Sequence, residues 1–425
     1  MRHIPGILVL YHVPFSRQGA TTIVDNCSAF KRYSRFSVWE INTEYGFPKE
    51  LSTLSFDVIV LHYSLFGRGY EYELSDEFYE YLYSCRSSHI ISFFQDEYRY
   101  CTKRFDFINE FNIETIYTCL ESQFFDEVYA KYTSARYIHT YLPGYVSENL
   151  ISEAKQYYKP MKDRTIDIGY RARRLDFYMG AGAQEKHVIG TRFAGLVKER
   201  NIPLHLDIEV EEENRLYGKD WSRFLSNCRG TLGVESGVSI FDVTDEVRIA
   251  CDDLIRENPA ITFEEVSNKL FGPWENNIFL RTISPRHFEG AAFRVCQILF
   301  EGVYSGIMQP YVHYIPMKKD FTNFDEVISS FTDSRLRQKI TERAYANLIA
   351  DPTYSYESFI RDFDDRLAQI GLEPGKKQDT DDVQKSLDKD LHIRRLKTLM
   401  RNSIYMDFPG RSWLRKVLGK YIRQD

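Results

Sequence analysis

Paired cysteines, long apolar runs and an excess of positive charge are all missing from this chain of 425 residues. Its seven cysteines, Cys27, Cys85, Cys101, Cys119, Cys228, Cys251 and Cys296, form no Cys-x-x-Cys pair, and several sit in apolar runs. They read as reduced core residues and exclude a disulfide framework or a zinc site. No stretch approaches the roughly 18 apolar residues of a membrane span. The apolar run after Met1-Arg2-His3-Ile4-Pro5 is too brief for a signal peptide, so a cytoplasmic protein is expected. A formal net charge of -6 argues against general nucleic-acid binding, which needs a basic face. His-Glu-x-x-His, a Gly-x-x-x-x-Gly-Lys-Ser/Thr loop and a strand-end Asp-x-Asp are absent too, so no metal and no cofactor is expected.

What is present is an ordinary globular balance, 43% hydrophobic and 27% charged, with 30 Tyr and 30 Phe. Tyrosine supplies amphipathic surfaces that stack on sugars or bases, although most of these rings belong to cores. The length exceeds what one core sustains, so two domains are expected.

The run Ile7-Leu8-Val9-Leu10-Tyr11 reads as a buried strand followed by a loop over 14–22 and a helix over 23–33. Similar runs follow at 56–63, 88–94 and 115–118, with helical patterns at 75–83 and 105–111 between them. Glycines 67 and 69 mark a loop after the second run. Strands alternating with helices predict an α/β fold of parallel βαβ units. Ligands bind such sheets beyond the strand C-termini, which singles out His12, His62, Tyr63, Gln95, Asp96 and Glu97. The Pro143-Gly144 turn closes the first series, and a second runs through 166–170, 204–210, 230–234 and 306–314.

Residues 284–302, Ser-Pro-Arg-His-Phe-Glu-Gly-Ala-Ala-Phe-Arg-Val-Cys-Gln-Ile-Leu-Phe-Glu-Gly, place Glu289 where a loop turns into an apolar helix. Backbone N–H groups at a helix start attract anions, and a carboxylate there accepts hydrogen bonds from vicinal hydroxyls, which suits a nucleotide's phosphates and ribose. The segment resembles the ribose-binding end of glycosyl transferases group 1, enzymes of the GT-B fold with two Rossmann-like domains facing a central cleft. His313-Tyr314-Ile315-Pro316 through Asp320, Asn323 and Glu326 continue the resemblance. So does the stretch Ile168-Gly169-Tyr170-Arg171-Ala172-Arg173-Arg174 with Gly180, Gly182, Glu185 and Lys186, since the group has a Gly-Arg turn followed about a dozen residues on by a phosphate-binding Lys.

The resemblance implies a nucleotide-sugar donor whose leaving phosphate is held by Arg171 or Arg173 and by Lys186, with Arg286 and Glu289 at the nucleotide. Which of Arg171, Arg173 and Arg174 faces the ligand stays open. The glycines 180 and 182 would let backbone approach the phosphate. Cations and N–H dipoles can stabilise a leaving diphosphate without a metal. The run 215–225 with Tyr217, and the loop with Glu235 and Ser236, look like the part enclosing base and donor sugar. Retaining members carry two glutamates separated by seven residues, but eight positions before Glu289 stands Arg281. Glu235 could replace the first glutamate only if 243–280 is an insertion, so retention and inversion both remain open.

In the first domain Gln95 stands where related enzymes have a His and cannot act as a base. Asp96 or Glu97 is then the candidate base for an acceptor hydroxyl, and His62 could also point into the cleft. The tail carries nine Lys or Arg against two Asp, with apolar residues at roughly helical spacing, and suits an anionic membrane surface as well as it suits packing on the protein body.

The expected organisation is 1–150, an acceptor-side Rossmann-like domain; 151–352, a nucleotide-sugar domain; 353–370, a crossover helix; 371–390, a linker; and 391–425, a basic amphipathic tail. The resemblance implies transfer of a sugar to a glycan or lipid-linked glycan in bacterial surface polysaccharide (O-antigen or capsule) biosynthesis, at the inner face of the cell membrane. A nucleotide-sugar epimerase or hydrolase of the same fold is one alternative. A non-catalytic glycan-assembly protein is the other, favoured by Gln95 and the broken glutamate pair.

Overall fold

The computed structural model describes residues 1–14, 21–66, 74–377 and 379–405. The loop glycines 67 and 69, and the tail beyond 405, lie outside the described residues. Six strands form the first sheet: β1 (Arg2–Tyr11), β2 (Val38–Asn42), β3 (Leu54–Leu61), β4 (His89–Phe93), β5 (Thr115–Thr118) and β6 (Tyr137–Thr140). Their order is β2-β1-β3-β4-β5-β6 and every pairing is parallel. The second sheet is built from β7 (Ile166–Arg171), β8 (Leu206–Glu209), β9 (Cys228–Gly233), β12 (Cys296–Phe300) and β13 (Ile315–Met317), ordered β13-β12-β9-β7-β8. Between them in sequence lie β10 (Ser236–Val238) and β11 (Leu280–Thr282), which pair only with each other.

Counted within its own domain, the second sheet winds in the order 2-1-3-4-5, the same path as the first five strands of the first. Both are doubly wound, and the molecule is an α/β protein of two Rossmann-like domains facing a cleft, the GT-B arrangement. In each domain the chain reverses its winding direction between the first and third strands, and the crevice outside that point is where such sheets take ligands. Continuous apolar runs such as Ile7–Leu10 and Val58–Leu61 are wholly buried, as a parallel sheet covered on both faces requires.

Three local readings of the sequence need correction. Residues 284–302 are not one helix: Pro285–Ala292 is helical, Arg294 turns the chain at φ 52, and Cys296–Phe300 is the buried strand β12. The run 306–314 is turns, and the strand begins at Ile315. Within 371–390 the chain is already helical from Asp381, in a helix reaching Tyr405. That helix lies along the first domain, where Gln384 exchanges two hydrogen bonds with the backbone of Glu40 at 3.0 and 2.9 Å.

The crossover segment, helix Tyr356–Gln369, packs on helix Thr21–Tyr33 of the first domain. Phe363 meets Phe30 edge-on at 5.2 Å, and Asp364 accepts from Ser34 Oγ and the Arg35 N–H at 2.8 and 2.7 Å. The C-terminal part of the chain is thereby fastened to the first domain.

Residues 239–279 leave the second domain after β10 and return through β11, so their ends are held side by side by the ladder Ser236↔Thr282, Gly237↔Arg281, Val238↔Leu280. The excursion packs its apolar side, including Phe241, Val247, Cys251 and Phe271, into the same continuous core as Tyr98 and Cys101 of the first domain. Asp245 accepts the Tyr100 N–H at 2.9 Å, the Asp242 N–H donates to the Tyr98 carbonyl at 3.2 Å, and Arg248 covers the Tyr100 ring at 4.5 Å. It thus braces the loop that carries Asp96.

Candidate functional site

A cavity of about 370 Å³ opens at the switch point between β7 and β9. Its floor is the strand ends at Ala172 and at residues 231–234, and its far wall is Gln95, Asp96 and Tyr98 of the first domain. Arg173, Lys186, Tyr217, Ser236, Arg286 and Glu289 all line it. The topology brings these residues together from four separate stretches of sequence.

Lys186 stands in the second turn of helix Ala181–Glu199, whose chain position is fixed when the Tyr170 hydroxyl donates to the Lys186 carbonyl at 2.9 Å. Among the described residues its ammonium forms no ion pair. Burial pulls its pKa down to about 8, opposed by Asp96 and helped by Arg286, Arg173 and Arg281. A cation held among cations without a carboxylate partner is poised for an anion. Arg286 donates to the Arg171 carbonyl and covers the Trp221 ring at 5.1 Å. Arg173 is half exposed and only loosely paired, 3.8 Å from Glu212, so it is free to swing toward a ligand.

Glu289 is the fifth residue of its helix rather than the first. The helix start is closed by a capping box in which Ser284 and His287 satisfy each other's backbone, with Pro285 in the first position. The Glu289 carboxylate reaches the cavity from the second turn and accepts from Trp221 Nε1 at 2.7 Å. Burial raises its pKa, while the Trp221 hydrogen bond and Arg286 lower it and Glu153 adds to the rise. Trp221, within the run expected to enclose base and donor sugar, and His287 are lining residues that the sequence did not single out. The Ser-Pro-x-His spacing at 284–287 is the signal that could have located the helix start and His287 with it.

Tyr217 lies on the rim, 45% exposed, with its hydroxyl 3.3 Å from Glu212 and Arg215 over its ring at 5.0 Å. Asp96 is exposed at the end of β4 and holds a left-handed backbone at φ 54. Asp tolerates that conformation better than most residues, because its short side chain can bond locally.

Four other candidates stand away from the cavity. Arg171 is held behind the strand: it pairs with Asp207 at 2.7 Å, donates to the Tyr170 and Asp207 carbonyls and lies on Phe224 at 4.3 Å. His62 is fully buried; Ser64 donates its N–H to Nδ1, Nε2 faces Asn26 Oδ1 at 3.2 Å, and burial pushes the ring down to about 3, leaving it neutral. Glu97 is equally buried and accepts from Thr118 Oγ1, the Cys119 N–H and the Tyr129 hydroxyl, a set that locks two loops together. Glu235 accepts the N–H groups of Val303 and Tyr304 at 3.0 and 2.8 Å and so joins the loops after β9 and β12.

The two glycines at the start of helix Ala181–Glu199 are crowded by protein. A Cβ on Gly182 would lie 1.9 Å from Arg281 Nη1, and one on Gly180 2.4 Å from Ser239 Oγ. The Gly182 N–H donates to Ser239 Oγ at 2.8 Å, and the Ala181 N–H to Glu275 at 3.3 Å. What approaches this backbone closely is the 239–279 excursion together with Arg281 of β11. Arg281 is sandwiched there between Glu185, its ion-pair partner, and Glu235 at 3.7 Å.

No protein-family model matches the sequence, and no curated protein matches it. Among solved structures, an alpha-glucosyltransferase (AGT) in complex with UDP is similar over 86% of this chain and 99% of its own, at 10% identity and a TM-score of 0.46. Anabaena HepE in complex with UDP-glucose is similar over 85% of this chain and 99% of its own, at 8% identity and a TM-score of 0.44. TarM is similar over 74% of this chain, which spans 55% of TarM, at 10% identity and a TM-score of 0.41.

Proposed function

We propose that the protein is a glycosyltransferase that binds a nucleotide sugar in the cleft and moves the sugar to a glycan or lipid-linked glycan acceptor. The carrying observation is the convergence of Lys186, Arg286 and Arg173 with Glu289 at the β7–β9 switch point, directly across from Asp96. The three cations supply charge for a leaving diphosphate, so the chemistry we propose needs no metal. The Glu289 carboxylate, oriented by Trp221, suits the vicinal hydroxyls of a ribose. Asp96 is the group we assign to the acceptor hydroxyl, as base if configuration inverts and as a hydroxyl ligand if it is retained.

Arg171, Glu97, His62 and Glu235 support this site from behind in our reading, through the hydrogen bonds given above. The acceptor pathway we favour is bacterial surface polysaccharide assembly at the inner membrane face. No described helix is long and apolar enough to cross a membrane. The basic tail at 391–425 is the feature that motivates attachment to an anionic surface.

Thermal denaturation against a panel of nucleotides and nucleotide sugars tests the reading. Selective stabilisation by one nucleotide sugar is expected and would identify the donor; no shift with any nucleotide would overturn the proposal. Turnover of donor without acceptor would favour an epimerase or hydrolase, and binding without any turnover an assembly protein.

A further inference from the structure

A second and larger cavity, about 950 Å³, lies at the opposite edge of the second sheet, where β7, β9 and β12 begin. The six residues of β7 span roughly 20 Å, so this cavity and the nucleotide cleft are separate places. Its charged lining is Lys155, Lys162, Arg164, Arg229, Arg294 and Arg337 against a single carboxylate, Glu342. Arg229 is paired with Asp167 at 2.6 Å. Among the described residues, the other five cations form no ion pair.

The arginines are built in rather than splayed over a surface. Arg164, 2% exposed, donates to the carbonyls of Lys159, Cys228, Phe293 and Arg294 at 3.1, 2.8, 2.8 and 3.3 Å. Those carbonyls fix the guanidinium without cancelling its charge. Arg294 sits at φ 52 with its guanidinium 3.8 Å over the Tyr345 ring, a backbone conformation that few non-glycine residues adopt. Arg337 donates to the Phe331 carbonyl, and burial together with the nearby Arg229 lowers its pKa. Holding like charges in a half-enclosed space costs stability that an anion would relieve.

We propose that this cavity binds a ligand carrying clustered phosphate groups. Arginine forks and lysine ammoniums match phosphate oxygens, and five unpaired cations exceed what one carboxylate can neutralise. Ser334 and Gln338 on helix Ser334–Tyr345 line one wall and add neutral donors. The volume falls at the upper end for small-molecule sites. A soluble polyphosphorylated molecule and an anionic lipid headgroup share this chemistry.

Calorimetric titration of the full-length protein with inorganic tripolyphosphate tests the soluble source. Co-sedimentation with vesicles of equimolar phosphatidylcholine and phosphatidylglycerol tests the headgroup. Lys155 and Lys162 are exposed, so Lys155→Glu/Lys162→Glu should keep the unliganded melting temperature, with Lys155→Gln/Lys162→Gln as the milder alternative if it does not. The double variant is expected to weaken whichever probe binds at least about tenfold, in a salt-dependent way, and Lys155→Arg/Lys162→Arg to restore it. Lys186→Met weakens the phosphate contact of the nucleotide cleft, so the probe binding that persists in it, and that Lys155→Glu/Lys162→Glu then removes, belongs to this cavity. Neither probe binding, undiminished binding by the Glu and Gln variants, or loss of binding in Lys186→Met would each overturn the proposal.

Discussion

Trp221 Nε1 donates to Glu289 at 2.7 Å from the edge of the indole while Arg286 lies over the ring at 5.1 Å, so one ring positions both a carboxylate and a cation at the cavity. Trp221→Phe keeps a ring beneath Arg286 but removes the N–H. Because that hydrogen bond lowers the Glu289 pKa, the variant's carboxyl should protonate more readily. Nucleotide affinity should fall by about 1.5–3 kcal/mol, the worth of a hydrogen bond to a charged group, and the loss should deepen as pH drops. Isothermal titration at two pH values reads both effects.

Lys186 gives the site a pH signature of its own. Its ammonium titrates at about 8 in the folded chain against an ordinary value of 10.5. Between those values the unfolded chain holds more protons, so this group makes stability rise with pH across that window. A bound phosphate favours the charged form, so nucleotide affinity should fall about tenfold per pH unit above pH 8. Lys186→Met should abolish both slopes and weaken binding at neutral pH. An unchanged affinity in that variant would place the phosphate elsewhere.

The first domain was largely legible because parallel strands buried on both faces write themselves as apolar runs, as at Ile7–Leu10 and Val58–Leu61, and in the second sheet β7, β8 and β9 were located. The edge strand β2 was missed, since Val38-Trp39-Glu40-Ile41-Asn42 mixes polar with apolar residues. Strand β12 was hidden because a buried stretch of five residues has no periodicity to separate it from the helix just before it. For the site, the family resemblance named Lys186, Arg286 and Glu289, and position after a strand named Asp96. Neither could distinguish them from Arg171, Glu97, His62 and Glu235, which lie at or just beyond strand ends but turn inward to protein partners. Which way a residue after a strand points is decided by tertiary contacts.

Glu40 couples the C-terminal helix to pH. Burial raises its pKa to about 7, with Asp388 of that helix adding and Lys31 opposing. The folded chain therefore binds a proton that the unfolded chain releases near its ordinary value of 4.5, and stability from this group falls as pH rises through that interval. Glu40→Gln removes a buried carboxylate whose Oε1 has no hydrogen-bond partner. The variant should be more stable than wild type above pH 7, by up to about 3 kcal/mol, and no more stable at pH 4. Denaturant melts at both pH values decide it.

The ladder that closes the 239–279 excursion depends on Gly237. Its φ is 109, and a Cβ there would lie 1.8 Å from the Leu280 carbonyl oxygen. Backbone on both sides leaves no flexible group to yield, so Gly237→Ala should cost about 2–4 kcal/mol. The excursion braces Tyr98 and Tyr100, so limited proteolysis should show cleavage of 239–279 before the rest of the domain.

Asp96 and Glu97 are sequence neighbours with opposite surroundings, and substituting each separates catalysis from architecture. Asp96 is exposed at the cleft with a left-handed backbone, which Asn adopts as readily as Asp. Asp96→Asn should therefore fold normally and, by removing a negative charge facing Lys186, bind nucleotide as well as wild type or better. If Asp96 takes the acceptor proton, turnover should fall by roughly 10²–10⁴-fold; a smaller loss would make it a hydroxyl ligand. Glu97→Gln should do the reverse. Its amide would turn an N–H₂ toward donors it must accept from, the Thr118 and Tyr129 hydroxyls and the Cys119 N–H. A buried donor facing donors costs about 1–3 kcal/mol, visible in the melting temperature. Residual folded protein of that variant should turn over at near wild-type rate, and a turnover defect matching that of Asp96→Asn would mean that Glu97, not Asp96, serves the acceptor.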